Sequence, residues 1–246
     1  MTKDDTAAAS FGGDAAAARS MALLWGTKPP PGRGRKPGMT VDRIVAAAVE
    51  LADTDGMDGV SMRRVADRLG VGTMSLYRYV PSKAELQDLM LDAVMVDTPP
   101  VHDADGWRAG LERFARTSLD GYRRHPWLLR ASLTRGAMGP NQAAALDSVL
   151  RALDGAGLSG GERMAVVGLV AGYVRGVAGQ LSEQAADERF WSGFAPLLDP
   201  HLDATRYPAL TNLWRDKDFE WVDQFEFGLA RVLDGIAALV AGRTAS

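Results

Sequence analysis

The side chains best placed to do chemistry lie between Val60 and Val80, and the chemistry is recognition rather than bond making. In VSMRRVADRLGVGTMSLYRYV, Val65, Ala66 and Leu69 fall three and four apart, and Leu76 and Val80 fall four apart. That spacing gives two short helices that meet across a glycine turn. With Leu76 and Val80 inward, Thr73, Met74, Ser75, Tyr77, Arg78 and Tyr79 turn toward the outside or a boundary. Such a face suits a DNA groove. Met74 fits a thymine methyl, Tyr77 and Tyr79 reach phosphates through their hydroxyls, and Arg78 suits a guanine edge or a phosphate. Thr73, Met74 and Ser75 stand near the start of the second helix, nearest the base edges in this kind of docking.

Bond-making chemistry finds no support. The 246 residues include no Cys, which removes disulfides, thiolate nucleophiles and cysteine-bound zinc. The three His, at 102, 125 and 201, have no metal-ligand spacing, and no Gly-rich phosphate loop follows a strand. Neither catalytic residues, a metal nor a cofactor is expected. At 46% apolar residues the chain has material for a real core, yet no run reaches the roughly 18 uninterrupted apolar residues of a membrane span. The start, MTKDDTAAAS, is polar and acidic, unlike a secretory signal. The expected place is the cytoplasm, on the nucleoid, with no membrane partner.

Charge is uneven along the chain. The net charge is −3, but residues 28–91 carry plus 2 and residues 92–246 carry minus 4. Lys28, Arg33, Arg35, Lys36 and Arg43 cluster just before the first helix, opposed only by Asp42. Four Pro and three Gly keep KPPPGRGRKPG, at 28–38, from being helical. It reads as an extended arm whose Arg33, Arg35 and Lys36 suit the minor groove of A·T-rich DNA.

The elements that must hold these groups follow from caps and periodicity. Residues 1 to about 20 read as disorder or weak helix, and Met21–Trp25 as an apolar patch that either packs on the folded body or stays a mobile segment. Thr40 caps a helix striped by Ile44, Val45, Ala48, Leu51 and Ala52 and ended by Asp55 and Gly56. Ser61 caps the first motif helix, Gly70 supplies positive φ at its end, and Gly72 leaves the second without a side-chain cap. Pro81 stops that helix. Ser82 with Glu85 then forms a capping box for a rod to about Val96, lined by Leu86, Leu89, Met90, Ala93 and Val94. Beyond it the pattern stays helical: about Asp105 to Arg124, a short helix after Pro126, Pro140 to Ala156, Glu162 to about Ala186 behind a Ser159 cap, and Glu220 to Ala241. No repeat and no strand alternation appears. The fold class is all-α, with about nine or ten helices.

The stretch from Thr40 to Asp92 resembles the DNA-binding domain of the tetracycline-repressor (TetR) family. The pattern lies in the alanine-rich first helix, the G-hydrophobic-S/T-x-R-x-hydrophobic-A segment at Gly59 to Ala66, LYRYV from Leu76, and Lys83. Val80 stands where many members have Phe, and Gly72 where many have Ser or Thr. The resemblance implies a flexible extension with a basic arm (1–39), a three-helix helix-turn-helix head with its linking helix (40–97), and a larger helical effector-binding and dimerisation domain (98–246). It adds Ser61, Arg63 and Lys83 as residues that hold the DNA backbone, with Lys83 beside a helix N-terminus.

The implied partners are double-stranded operator DNA, a second copy of the chain and a small-molecule effector. Gly168, Gly172 and Gly176, four apart on one long helix, are the expected dimer face, with Phe227, Ala230, Arg231, Asp234 and Ala238 on the last helix. Aromatic and adaptable residues of the larger domain, Trp107, Phe114, Trp127, Met138, Tyr173, Gln180, Trp191 and Trp214, are the candidate ligand wall and suit an apolar or amphipathic molecule. The expected function is a ligand-responsive dimeric repressor that binds a palindromic operator and is released by its effector. The alternative is an activator or architectural regulator with the same head and no small effector.

Overall fold

The computed structural model describes residues 15–26, 39–95, 106–131, 137–215 and 222–244; for residues 15, 16, 182–196, 199, 214 and 244 it describes the backbone alone. Every regular element among them is helical. In chain order these are α1 (Ala15–Leu24), α2 (Val41–Asp55), α3 (Met62–Leu69), α4 (Thr73–Leu76), α5 (Lys83–Ala93), α6 (Gly106–Arg124), α7 (Pro140–Ala152), α8 (Gly160–Leu198), α9 (Pro208–Trp214) and α10 (Gln224–Thr244). Short 3-10 turns lie at Met57–Gly59, Pro126–Leu129 and Asp199–His201.

The local signals act as their chemistry dictates. Thr40 Oγ1 accepts the Arg43 N–H at 3.2 Å and starts α2; Ser61 Oγ accepts the Arg64 N–H at 3.2 Å and starts α3. Gly70 ends α3 at φ 67° and ψ 35°, a left-handed conformation that a side chain would strain. Gly72 gives α4 no side-chain cap, and α4 lasts a single turn before the chain bends into Tyr77–Val80. At Ser159 a full capping box forms: Ser159 Oγ accepts the Glu162 N–H at 3.3 Å, and Glu162 Oε2 accepts the Ser159 N–H at 2.9 Å.

Two apolar cores result. The first gathers Ile44, Ala48, Val60, Val65, Ala66, Leu76, Val80, Leu86 and Met90 from α2 to α5. The second gathers Leu111, Ala115, Leu153, Val170, Val174, Leu229 and Leu233 from α6, α7, α8 and α10. Trp127 and Leu128, on the turn after α6, are buried in the first core, so a segment far along the chain closes the small head.

One open reading is decided and two expectations change. Residues 15–20, for which disorder and weak helix were both open, are helical and belong to α1, which packs against α5. The helix placed at Glu162 to about Ala186 begins at Gly160 and runs to Leu198, through a region expected to be broken. α7 stops at Ala152, short of Ala156. Within α8, Gly160–Leu181 is long and apolar enough to cross a membrane by length and composition alone. Val166, Val167, Val170, Val174 and Val177 bury one of its sides in the second core.

Candidate nucleic-acid interface and its link to the larger domain

The recognition segment is held from behind and open in front. Leu76 and Val80 are fully buried, while Met74 is 77% and Tyr77 42% exposed, with Arg78 also exposed and Thr73 and Ser75 half-buried. Tyr79 departs from the outward placement. It is only 9% exposed and packs in the head core, because it stands three residues from Leu76 and so shares its side of the turn. Arg33, Arg35 and Lys36 lie outside the described residues.

The structure also sorts the arginines of α3. Arg64 pairs with Asp55 and donates to Gly59 O at 2.8 Å, and Arg68 donates to Glu50 Oε2 at 2.6 Å, so both brace α3 against α2 and the turn that follows it. Arg63 points to solvent, with Asp67 at 3.9 Å. Ser61 spends its oxygen on the α3 cap. Lys83, the first residue of α5, is exposed, with Nζ 3.4 Å from Met57 O.

α5 carries a feature that its apolar pattern hides. Glu85, Asp88 and Asp92 are each at most 5% exposed. They stand three and four apart, on one side of the helix. Burying carboxylates is costly unless each is bonded, and each is. Arg19 Nε donates to Glu85 Oε1 at 2.6 Å, and Ser82 donates to Glu85 Oε2. Burial raises the Glu85 pKa, but the bonds from Ser82 and Arg19 outweigh it and hold the carboxyl below its ordinary value. Ser20 Oγ donates to Asp88 Oδ2 at 2.6 Å. Asp92 Oδ1 accepts the Gln142 N–H at 2.9 Å and so caps α7. The sequence pairs Ser82 with Glu85 as a capping box, and the two side chains do meet, but Ser82 Oγ accepts the Ala84 N–H and donates to the Glu85 carboxylate instead. The other two were visible as acids at one-face spacing on a helix with an apolar stripe.

A second joint sits at Asp53. Its Oδ1 accepts the Trp127 indole N–H at 2.7 Å and lies 2.7 Å from His125 Nδ1. Trp127 therefore belongs to the head rather than to a ligand wall with the other candidates: the turn after α6 folds back onto α2 and buries the ring there. Trp107, Phe114 and Tyr173 do share the second core. The Tyr173 hydroxyl shares its one hydrogen between Gln224 O at 2.8 Å and Phe225 O at 2.9 Å, and burial pushes its pKa up. Its ring fills the place where a Cβ on Gly228 would sit, which draws α8 and α10 together. Met138 and Gln180 are exposed, and the side chains of Trp191 and Trp214 lie outside the described residues.

The glycine stripe faces away from the second core. Gly168, Gly172 and Gly176 are exposed, and among the described residues no atom lies where their Cβ atoms would reach, beside Met164 and Leu169 at 51% and 53% exposure. On α10, Phe227 is 54% exposed, Ala238 is exposed and Ala230 half-buried. Arg231 and Asp234 are bonded at 2.7 Å, and Asp234 also accepts from Arg108 at 2.9 Å.

Residues 44–89 match the model of the bacterial regulatory proteins of the tetR family, and residues 99–240 match the tetracyclin repressor-like C-terminal domain. This chain belongs to the TetR family. A TetR-family relative, the HTH-type transcriptional repressor DrrR1 of Streptomyces coeruleorubidus, is 46% identical over 238 residues, 92% of this chain and 87% of that protein. Apo ActR from Streptomyces coelicolor superposes with a TM-score of 0.69 at 29% identity, covering 86% of this chain and 99% of ActR. ActR in complex with actinorhodin gives a TM-score of 0.69 at 29% identity over 82% of this chain and 97% of that one. The TetR-family chain is a helix-turn-helix transcription regulator and not an enzyme.

Proposed function

We propose that this chain is a dimeric repressor that binds a two-fold symmetric operator and is released by a small apolar or amphipathic effector. The observation that carries the reading is the double membership of α5. Through Leu86 and Met90 it closes the core of the head, and through Asp92 it caps α7 of the larger domain. A displacement of α7 therefore tilts the head. An effector that prefers the tilted form draws the population toward it, and the DNA and effector affinities change reciprocally.

Dimerisation has its own support. One recognition segment reads too few base pairs for useful specificity against a genome, whereas two heads about 34 Å apart read a palindrome. The open apolar stripe of α8, with Phe227 and Ala238 on α10, is a surface of the kind two copies cover. Regarding the effector, the similar ActR has been solved in complex with actinorhodin and with (S)-DNPA, which supports a ligand-responsive chain. In this reading Ser61, Arg63 and Lys83 hold phosphates, while Thr73, Met74, Ser75, Tyr77 and Arg78 meet the groove.

Selection of duplexes from a random pool tests this directly. The enriched sequences should carry two-fold symmetric half-sites, light scattering should give a dimer, and an amphipathic aromatic compound from a library should release the duplex. Enrichment without symmetry, or a monomer bound to its best duplex, would overturn it; tight binding that no compound relieves would favour the effector-free regulator.

A further inference from the structure

We propose that α1 is a bracket that holds α5 against the larger domain and so sets the resting orientation of the DNA-reading head, with Arg19, Ser20 and Trp25 as its positioning residues. The inference rests on the reading that head orientation governs operator binding.

The sequence of α1, AAAARSMALL, puts Arg19 and Ser20 one turn before Leu23 and Leu24, so all four share a side. That side meets α5 and the head. Ser20 is fully buried and donates to Asp88, and Arg19 donates to Glu85. Leu23 and Leu24 pack on the head core. One residue further on, the chain touches the larger domain: Trp25 Nε1 donates to Met138 O at 3.0 Å. Met138 lies two residues before Pro140, where α7 begins.

Three segments are thus pinned pairwise. α5 joins α7 at Asp92, α1 joins α5 at Glu85 and Asp88, and α1 joins the approach to α7 at Met138. Asp92 alone would let α5 pivot about that end, and the Asp53–Trp127 joint ties the head to the body through α2 rather than through α5. The route through α1 acts on α5 itself, because a swing of α5 away from α7 must also break a bond of Ser20 or of Trp25. The bracket is also releasable. Glu85 and Asp88 are bonded to α1 through Arg19 and Ser20, two adjacent side chains that leave together when α1 undocks.

The test uses the full chain and its lack of cysteine. Spin labels placed by Asp67→Cys, an exposed site on α3, report the head-to-head distance in the dimer. Adding Asp147→Cys on α7, with labelled chains diluted in unlabelled protein, reports head to body within one chain. The combined variant Arg19→Ala, Ser20→Ala, Trp25→Phe should broaden the head-to-body distribution. If the binding-competent fraction falls to about a tenth, the apparent Kd for a selected duplex rises about tenfold. Asp88→Asn, which still accepts from Ser20, should keep the narrow distribution. A combined variant as narrow and as tight as the parent would overturn the bracket, as would an equal effect of Asp88→Asn. Should the combined variant fail to fold, Trp25→Phe alone is read by the same distances. A parent that gives no head-to-head distance and no duplex binding would sink the dimeric repressor, while the head-to-body distance would still decide the bracket.

Discussion

The Asp92 carboxylate accepts the backbone N–H of Gln142 at 2.9 Å, so the end of one domain's last helix caps the first turn of another's. The joint is tight. A Cβ on Gly139 would stand 2.2 Å from Asp92 Cγ, so only glycine at the N-cap of α7 lets the acid reach the orphan N–H. Gly139→Ala must push Asp92 away and lose the cap, costing about 1 to 2 kcal/mol. Urea unfolding should show it, and a crystal structure of the variant should show Asp92 turned from Gln142.

Trp127 makes a corresponding joint at the other side of the head. Trp127→Phe keeps the ring in the core and removes the bond to Asp53, a loss of about 1 kcal/mol. Trp127→Ala opens a cavity and costs about 3 to 5 kcal/mol. If the side chain served an effector instead, the Phe variant would change effector affinity and leave the unfolding midpoint where it was.

Lys83→Ala should weaken binding to all duplexes alike and flatten the dependence of log K on log salt by about one unit. Its ammonium is exposed, and its contact with Met57 O is a long one at 3.4 Å, so the free protein loses little stability. Anisotropy titrations across a salt series measure the slope; an unchanged slope removes Lys83 from the phosphate contacts.

Gly172→Arg should give a folded monomer. Among the described residues no atom lies within 4 Å of the Cβ a side chain would add there, and arginine is the better helix former by somewhat under 1 kcal/mol. Against a second copy the same side chain is a wedge. Light scattering reads the mass, and a dimer of undiminished stability would move the interface elsewhere.

Acid should loosen the tie between the start of α8 and the end of α10. Backbone and hydroxyl bonds from Ser159, with Arg243 beside them, lower the Glu162 pKa from 4.5 to about 2. A lowered carboxylate pKa favours the fold above the unfolded value, and this contribution fades as pH falls from about 4.5 toward about 2. The stability gap between the parent and Glu162→Gln should hold steady from neutral pH to about 5 and close below that, measured by urea midpoints across pH.

Local chemistry made the helix starts and stops legible. Thr40, Ser61, Gly70 and Ser159 act within three or four residues of themselves, and such rules need no knowledge of the rest of the chain. Tyr79 was misplaced although its signal was present, since position i+3 from Leu76 is an inward position. For α1 there was no comparable signal: an alanine run is compatible with helix or coil, and Ser20 finds Asp88 at a separation of 68 residues. Trp127 likewise reads as one aromatic among several until the turn after α6 folds back onto Asp53, 74 residues earlier.

The family, the all-α class, the helix-turn-helix and the glycine stripe are each written in spacings of a few residues, so they are legible before the chain folds. Tertiary structure decided what those parts are joined to. Which arginines of α3 brace it against α2, which acids of α5 are buried, and where Trp127 packs all depend on groups brought together from distant parts of the chain. A side chain's partner is set by where the backbone returns, and periodicity carries no information about that return.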